Sequence, residues 1–187
     1  MKSGFLLSGL LLASTILLSP AMAANYKIDI SGQHASITFR ANHLGFSYIA
    51  GRFNKFDGSF NHDRDNPAAS SVEVTIDASS IDTNHAERDK HLRSVDFLEV
   101  SKYPQMHFVS SAYSASADGD ILKGNLTIRN VTRPLEIKLR QVGEGKDPWG
   151  GYRSGFRGQA RFNAADFAMP EWVGEIEIEV NIEGVRQ

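Results

Sequence analysis

The stretch Tyr152-Arg153-Ser154-Gly155-Phe156-Arg157-Gly158-Gln159-Ala160-Arg161-Phe162-Asn163 decides the fold. Tyr152, Ser154, Phe156, Gly158, Ala160 and Phe162 are apolar or small, whereas Arg153, Gly155, Arg157, Gln159, Arg161 and Asn163 are mostly charged or polar. Successive side chains of a β-strand point to opposite faces, so this parity predicts a long strand with one face in a core and the other in water. The pattern repeats in both directions along the chain. Ala35, Ile37 and Phe39 alternate with Ser36, Thr38 and Arg40, and Val72, Val74 and Ile76 with Glu73, Thr75 and Asp77. Leu122, Gly124, Leu126 and Ile128 form a third set, Leu135, Ile137 and Leu139 a fourth, and Ile176, Ile178, Val180 and Ile182 a fifth. Strands that wet one face are the mark of antiparallel sheets.

Two noisier stretches add strands: Ser47 to Phe60, interrupted by Gly51 and Gly58, and Gln105 to Tyr113, with Met106 and Phe108 on one face. The set amounts to about eight strands, enough for a closed antiparallel barrel that either fills its interior or holds one small ligand. A sandwich fits the same pattern. Reversals are expected at Asp63–Asn66, Asp118–Asp120, Arg129–Pro134, Gly143–Gly145 and Pro148–Gly151, where turn-forming residues gather. One short, highly charged helix is expected after Asn84, which can cap it, with Glu87 three residues on and no Gly or Pro before Leu92. It should flank an end or side of the barrel.

Composition narrows the function. The 187 residues carry 20 basic and 22 acidic side chains, so no general positive field exists to hold nucleic acid. There is no cysteine, which excludes a disulfide framework and any thiol nucleophile. Residues 1–23 combine a basic start at Lys2, an apolar run from Phe5 to Leu18 and the small-x-small site Ala21-Met22-Ala23. These features describe a secretory leader cut after Ala23, with residues 24–187 as the exported domain and the periplasm as its expected location. No later run approaches the ~20 apolar residues of a membrane span, so no stable membrane anchor is expected.

Gly124, Gly158, Ser154 and Ala160 occupy inward positions where a filled barrel favours bulk, which is consistent with a lumen. Glycines that let the sheet curl are the alternative. Phe39, Phe53, Phe156 and Phe162, with Met106 and Phe108, would line such a lumen or pack as ordinary core. Asp82, His85, Glu87, Asp89 and His91 could suggest a metal-dependent hydrolase, but on a regular helix His85 and His91 lie about 240° apart. No nucleotide-binding loop, serine elbow or His-Glu-x-x-His motif occurs, so no catalytic residue, metal or cofactor is assigned.

The run from Ser80 to Ser94, Ser-Ile-Asp-Thr-Asn-His-Ala-Glu-Arg-Asp-Lys-His-Leu-Arg-Ser, resembles the signature of the YceI-like family, followed by Asp96-Phe97-Leu98 and Lys102-Tyr103-Pro104. His43-Leu44-Gly45-Phe46-Ser47, Gly51-Arg52-Phe53, Phe56-Asp57-Gly58-Ser59-Phe60, Gly124-Asn125-Leu126-Thr127-Ile128, Val131-Thr132-Arg133-Pro134 and Asp147-Pro148-Trp149-Gly150 extend it over nearly the whole of residues 24–187. Asn130 departs from the glycine the family commonly has there, a local change of turn chemistry. The resemblance implies an all-β fold, an extended eight-stranded antiparallel barrel of lipocalin type with one flanking helix, holding a polyisoprenoid or similar amphiphile in an apolar tunnel without transforming it.

On that reading the tunnel lining is Ile37, Phe39, Phe53, Val74, Ile76, Met106, Phe108, Leu126, Leu139, Phe156, Phe162 and Ile178. A tilted strand of this length encloses a height of ~30 Å, room for a long chain. Each CH₂-sized group buried contributes about 0.8 kcal/mol, so several isoprene units are needed to outweigh an association cost of ~4 to 15 kcal/mol. Arg88, His91 and Arg93 are candidate head-group contacts for a diphosphate, unless they pair with Glu87, Asp89 and Asp96. The expected partner is a polyisoprenoid, an isoprenoid quinone or a fatty-acid-like amphiphile. The alternatives are the exported hydrolase at His85 and Asp89 and a protein-interaction module with a filled barrel. A homodimer is left open.

Overall fold

The protein is described by a computed structural model covering residues 23–116 and 118–187; the expected leader therefore falls almost wholly outside the described residues. The strands are β1 (Ala24–Ile28), β2 (Ser36–His43), β3 (Ser47–Phe53), β4 (Phe56–His62), β5 (Ser71–Asp77), β6 (Ile81–Asp82), β7 (Gln105–Ser114), β8 (Asp120–Ile128), β9 (Val131–Lys146), β10 (Tyr152–Asn163) and β11 (Glu175–Arg186), with helix α1 at Ala86–Leu92. All pair antiparallel. Eleven segments make eight staves because three staves are broken in two. β2 and β1 lie end to end against β11, β3 and β4 continue one another across Asn54 and Lys55, and β5 and β6 across the 3-10 turn Ala78–Ser80. The order β1-β4-β5-β7-β8-β9-β10-β11 then returns to β1, closing the barrel.

Ser80 stitches two of these breaks. Its hydroxyl donates to the Asp77 carbonyl at 2.7 Å and accepts from the Lys55 amide at 3.0 Å, replacing ladder bonds that the bend removes. The expected interruptions at Gly51 and Gly58 are instead continuous strand. Gly51 lies under the Phe39 ring and Gly58 against the Glu73 carbonyl, so both lack a side chain because a neighbour occupies its place. Gly124 does the same for the Phe108 ring, and a Cβ on Gly158 would meet Ile137, Leu139 and Val180 at 2.8–2.9 Å. These inward glycines make room for neighbouring side chains, and Gly158 also lines the interior space described below.

The expected turn at Arg129–Pro134 is shorter, being Arg129 and Asn130 alone, both at positive φ (50° and 63°). Asparagine tolerates that region, so the departure from glycine is accommodated. Pro134 stands within β9, where β10 does not reach and its missing N–H costs no ladder bond. Gly143–Gly145 is strand, and the chain reverses later, at residues 147–151. Helix α1 begins one residue after the expected position: Asn84 adopts φ 59° and His85 caps, its Nδ1 accepting from the Arg88 amide.

One end of the barrel, termed the lower, carries the start of β1 and the 147–151 turn. The upper carries the β2–β3 turn and the 3-10 segment Ala164–Phe167. At the lower end Arg153 donates to Asp29 at 2.7 Å and Asp147 at 2.8 Å and also binds Glu183, where β11 passes from pairing β2 to pairing β1. The Arg153 guanidinium holds both aspartates below their ordinary carboxyl value, helped at Asp29 by His34 and the Gly32 amide. A carboxyl depressed in the folded state stabilises above its unfolded value and loses that contribution as pH falls. Stability should therefore decline below about pH 4, and Arg153→Met should flatten that acid slope in denaturant titrations at a series of pH values. Gly124→Ala should destabilise by about 1–3 kcal/mol through the Phe108 ring, measured as a lower denaturation midpoint at unchanged slope.

Candidate functional site

The inward faces of all eight staves enclose an apolar cavity of about 130 Å³ in the lower and middle barrel. Ile37, Val74, Ile76, Phe108, Leu126, Leu139, Phe156 and Ile178 line it, as do Leu122, Leu135, Ile137, Val180 and Ile182. The size is close to that of an apolar cavity of ~150 Å³ that takes benzene, so about one isoprene unit fits without movement. A longer chain must displace lining side chains, and Phe156, Val180 and Ile182 are only partly buried.

Phe39, Phe53, Met106 and Phe162, expected in the lining, lie outside it. They belong to a filled upper core: Phe39 packs on Phe53 at 5.6 Å, Phe162 on Phe167 at 5.0 Å, and Met106 and Phe167 are almost wholly buried. The Asn163 side chain caps the Ala164–Phe167 turn by accepting from the Ala165 amide, which aims Phe167 into the barrel. The aromatic side chains therefore close the upper end, and the enclosed height is not open throughout.

Arg88, His91 and Arg93 are also placed away from the cavity. Arg88 donates to the Thr83 carbonyl and hydroxyl, each at 2.7 Å, and Arg93 donates to the carbonyls of Ser79 and Ile81. His91 faces Asp96 at 3.2 Å on the surface. The two arginines thus satisfy orphan backbone acceptors around the β6–α1 connection rather than pairing with Glu87 or Asp89. Asp89 is buried and accepts from the Thr83 amide and hydroxyl, while His85 is exposed, so the two do not form one reactive site. Among the described residues, the carboxylate and imidazole groups with metal-ligating spacing are Asp29, His34 and Glu183, and the Arg153 cation already occupies that cluster.

The polar end of the cavity is not among the sequence expectations. Its polar lining residues are Asn61, His62, Ser70, Ser71 and Tyr113. Phe56, Gly58, Phe60 and His62 share one parity of β4, so the alternation itself turns His62 inward, where it is 8% exposed and edge-on to Phe156 at 5.2 Å. Behind it, Glu144 Oε2 lies 3.5 Å from His62 Nε2, and accepts from Gln141 at 3.0 Å. Gln141 and Glu144 are three apart, which should put them on opposite faces. A bulge at Val142 opposite Gly155–Phe156 restores them to one face and throws Val142 into solvent. A second bulge at Ser111, between Ser110 and Ala112, turns Tyr113 inward, where it donates to Asp120.

Tyr26, stacked on Phe60 at 4.9 Å, donates to Glu144 Oε1 at 3.1 Å. Burial and then the Glu144 charge push its phenol up to about 12, and burial followed by the Asp120 bond raises Tyr113 also. Unfolded tyrosine ionises near 10, so this part of the stability is complete below pH 10 and fades as pH rises beyond it. Tyr26→Phe should remove part of the late phenolate absorbance rise at 295 nm during alkaline titration and leave the earlier part unchanged.

A family model described as YceI-like domain matches residues 26–184. A UPF0312 protein of Pseudomonas aeruginosa (strain LESB58) is 54% identical over 171 residues, spanning 89% of this chain and 90% of the relative. In structure the chain is similar to the Campylobacter jejuni YceI protein, with TM-score 0.70 and 24% identity over 78% of this chain and 90% of that one. It is also similar to a polyisoprenoid binding domain from Saccharophagus degradans, with TM-score 0.61 and 13% identity over 87% and 98% of the two chains.

Proposed function

The chain belongs to the YceI-like family, and from that premise we propose that it is a periplasmic carrier that sequesters a polyisoprenoid or similar long-chain amphiphile without chemical change. The observation that carries the reading is the cavity itself: a half-open, apolar space contributed to by every stave of a closed barrel, whose few polar lining residues, Asn61, His62, Ser70, Ser71 and Tyr113, lie toward the lower end. Such a space excludes water and rewards hydrocarbon at about 0.8 kcal/mol per CH₂-sized group. The structural likeness to a polyisoprenoid binding domain supports an isoprenoid over other hydrocarbons. The leader-like pattern of residues 1–23 supports export.

Carriage without reaction is favoured by the state of the polar groups. His62 and Tyr113 are each held against a carboxylate, and the His85–Asp89 hydrolase arrangement is taken apart by the folded geometry. A filled-barrel interaction module accounts less well for an apolar space left inside the sheet.

Mass spectrometry of an organic extract, made from protein purified without detergent from the periplasm, should reveal a prenyl or other long-chain compound near one per chain. An empty extract, with no uptake of added polyprenyl lipids, would overturn the carrier. Phe156→Glu places a charge in the lining beside His62 and should abolish lipid uptake in a variant whose circular dichroism is unchanged. Unaltered uptake by that folded variant would move the ligand out of this cavity.

A further inference from the structure

Carriage inside the barrel leaves the motif His43-Leu44-Gly45-Phe46-Ser47 without a role. We propose that it is a membrane prong: the tip of the β2–β3 hairpin inserts Leu44 and Phe46 into a zwitterionic lipid surface and docks the upper end of the barrel there.

Every residue from Asn42 to Tyr48 is exposed, so the hairpin stands clear of the barrel. Leu44 is 71% exposed, Phe46 87% and Tyr48 59%, and these are three of the eight exposed large hydrophobic residues among those described. Exposed apolar residues scattered singly are ordinary, but three on one protruding tip form a patch. The tip is also preformed. Asn42 Oδ1 accepts from the Gly45 amide at 2.7 Å and the His43 carbonyl from the Phe46 amide at 3.0 Å, so these two amides enter an apolar medium already bonded. Leu44 holds φ 56°, a left-handed conformation unfavourable to a bulky side chain, and does so while exposing that side chain to water.

The order of chemistry back from the tip names the occupant. Leu44 and Phe46 are pure hydrocarbon, Tyr48 in the next row is amphipathic, and the rows of Arg40 and Arg52 follow on the same outward face, ~7 and ~13 Å behind Tyr48. The Arg40 guanidinium lies 5.8 Å from the centre of the Tyr48 ring. Hydrocarbon, aromatic belt, then charge is the succession of layers met on leaving a bilayer core. Each arginine has a carboxylate beside it, Glu177 at 2.7 Å from Arg40 and Asp82 at 4.0 Å from Arg52. The balanced row complements the phosphate and amine of a zwitterionic head and gains little from an anionic one. The three apolar side chains cover ~500 Å², below the ~800 Å² per partner of a stable protein interface, which favours a lipid surface over a protein or a second copy.

Detergent-free protein should float on a density gradient with vesicles of phosphatidylcholine and phosphatidylethanolamine, without marked gain from added phosphatidylglycerol or loss at high salt. Leu44→Ser combined with Phe46→Ser should lower the partition coefficient about tenfold, and Trp149→Ser, at the lower end, should leave it unchanged. Leu44→Gly separates docking from folding. It removes the left-handed strain, so the denaturation midpoint should hold or rise while vesicle binding falls several-fold. Native protein that does not float, or flotation unaltered by the double substitution, would overturn the prong. Binding that appears only with phosphatidylglycerol and vanishes in salt would do so too, as would a dimer in sedimentation velocity that binds no vesicle and is dissolved by the double substitution. Each of these failures leaves the carrier reading standing, because that reading rests on the cavity and not on the hairpin.

Discussion

Closure of the barrel depends on a single strand serving two partners along one of its edges. β11 pairs with β2 through Ile176–Asn181 and with β1 through Gly184–Arg186, and the sheet is a barrel only because this handover succeeds. Between the two the chain detours through residues 29–35, which take no part in a ladder. The Asp29 amide holds on to β11 through the Glu183 carbonyl at 2.8 Å, and Arg153 gathers Asp29 and Glu183 from either side of the seam. A buried carboxylate left without that cation would be costly, so the seam residues stand or fall together. Everything inside the barrel, including the cavity, presupposes this junction.

The staves are legible because each has one wet face and therefore prints its period into the sequence. Their breaks are not. Asn54-Lys55 and Ala78–Ser80 are marked by no glycine or proline, whereas Gly51 and Gly58, which look like breaks, are smooth strand that yields space to Phe39 and to a carbonyl. A missing side chain reports on its neighbour across the sheet, and that neighbour is known only once register is known. Eight of the twelve expected lining residues do face the cavity. The others obey the same parity, and Phe39, Phe53 and Met106 even pair directly with the lining residues Ile178, Ile37 and Ile76, but parity carries no information about which inward side chains leave space between them.

The polar mouth shows a further limit of pattern reading. His62 continues the parity of β4 and is within reach of it. Glu144 and Tyr113 become visible only through two bulges, each of which reverses the parity of the residues beyond it. Both bulges lie toward the lower end, where they bring a carboxylate and a phenol to an otherwise hydrocarbon interior. Their position there, rather than at the aromatic upper end, is what gives the cavity polarity along its length. The charged helix, which drew most of the chemical expectation, proves to be a fastening: Arg88, Asp89 and Arg93 satisfy the backbone of its own approach.

The packed rings at the upper end make the interior a cul-de-sac. A pipe open at both ends can be loaded at one and emptied at the other, so that each arriving molecule drives out the last. With Phe162 packed on the buried Phe167 at one end, a chain taken up as proposed would enter and leave by the same doorway, and the part that goes in first would come out last. On the proposed carrier reading, such a vessel takes one passenger at a time, and the direction of transfer would be set by whichever acceptor waits at the doorway rather than by the barrel.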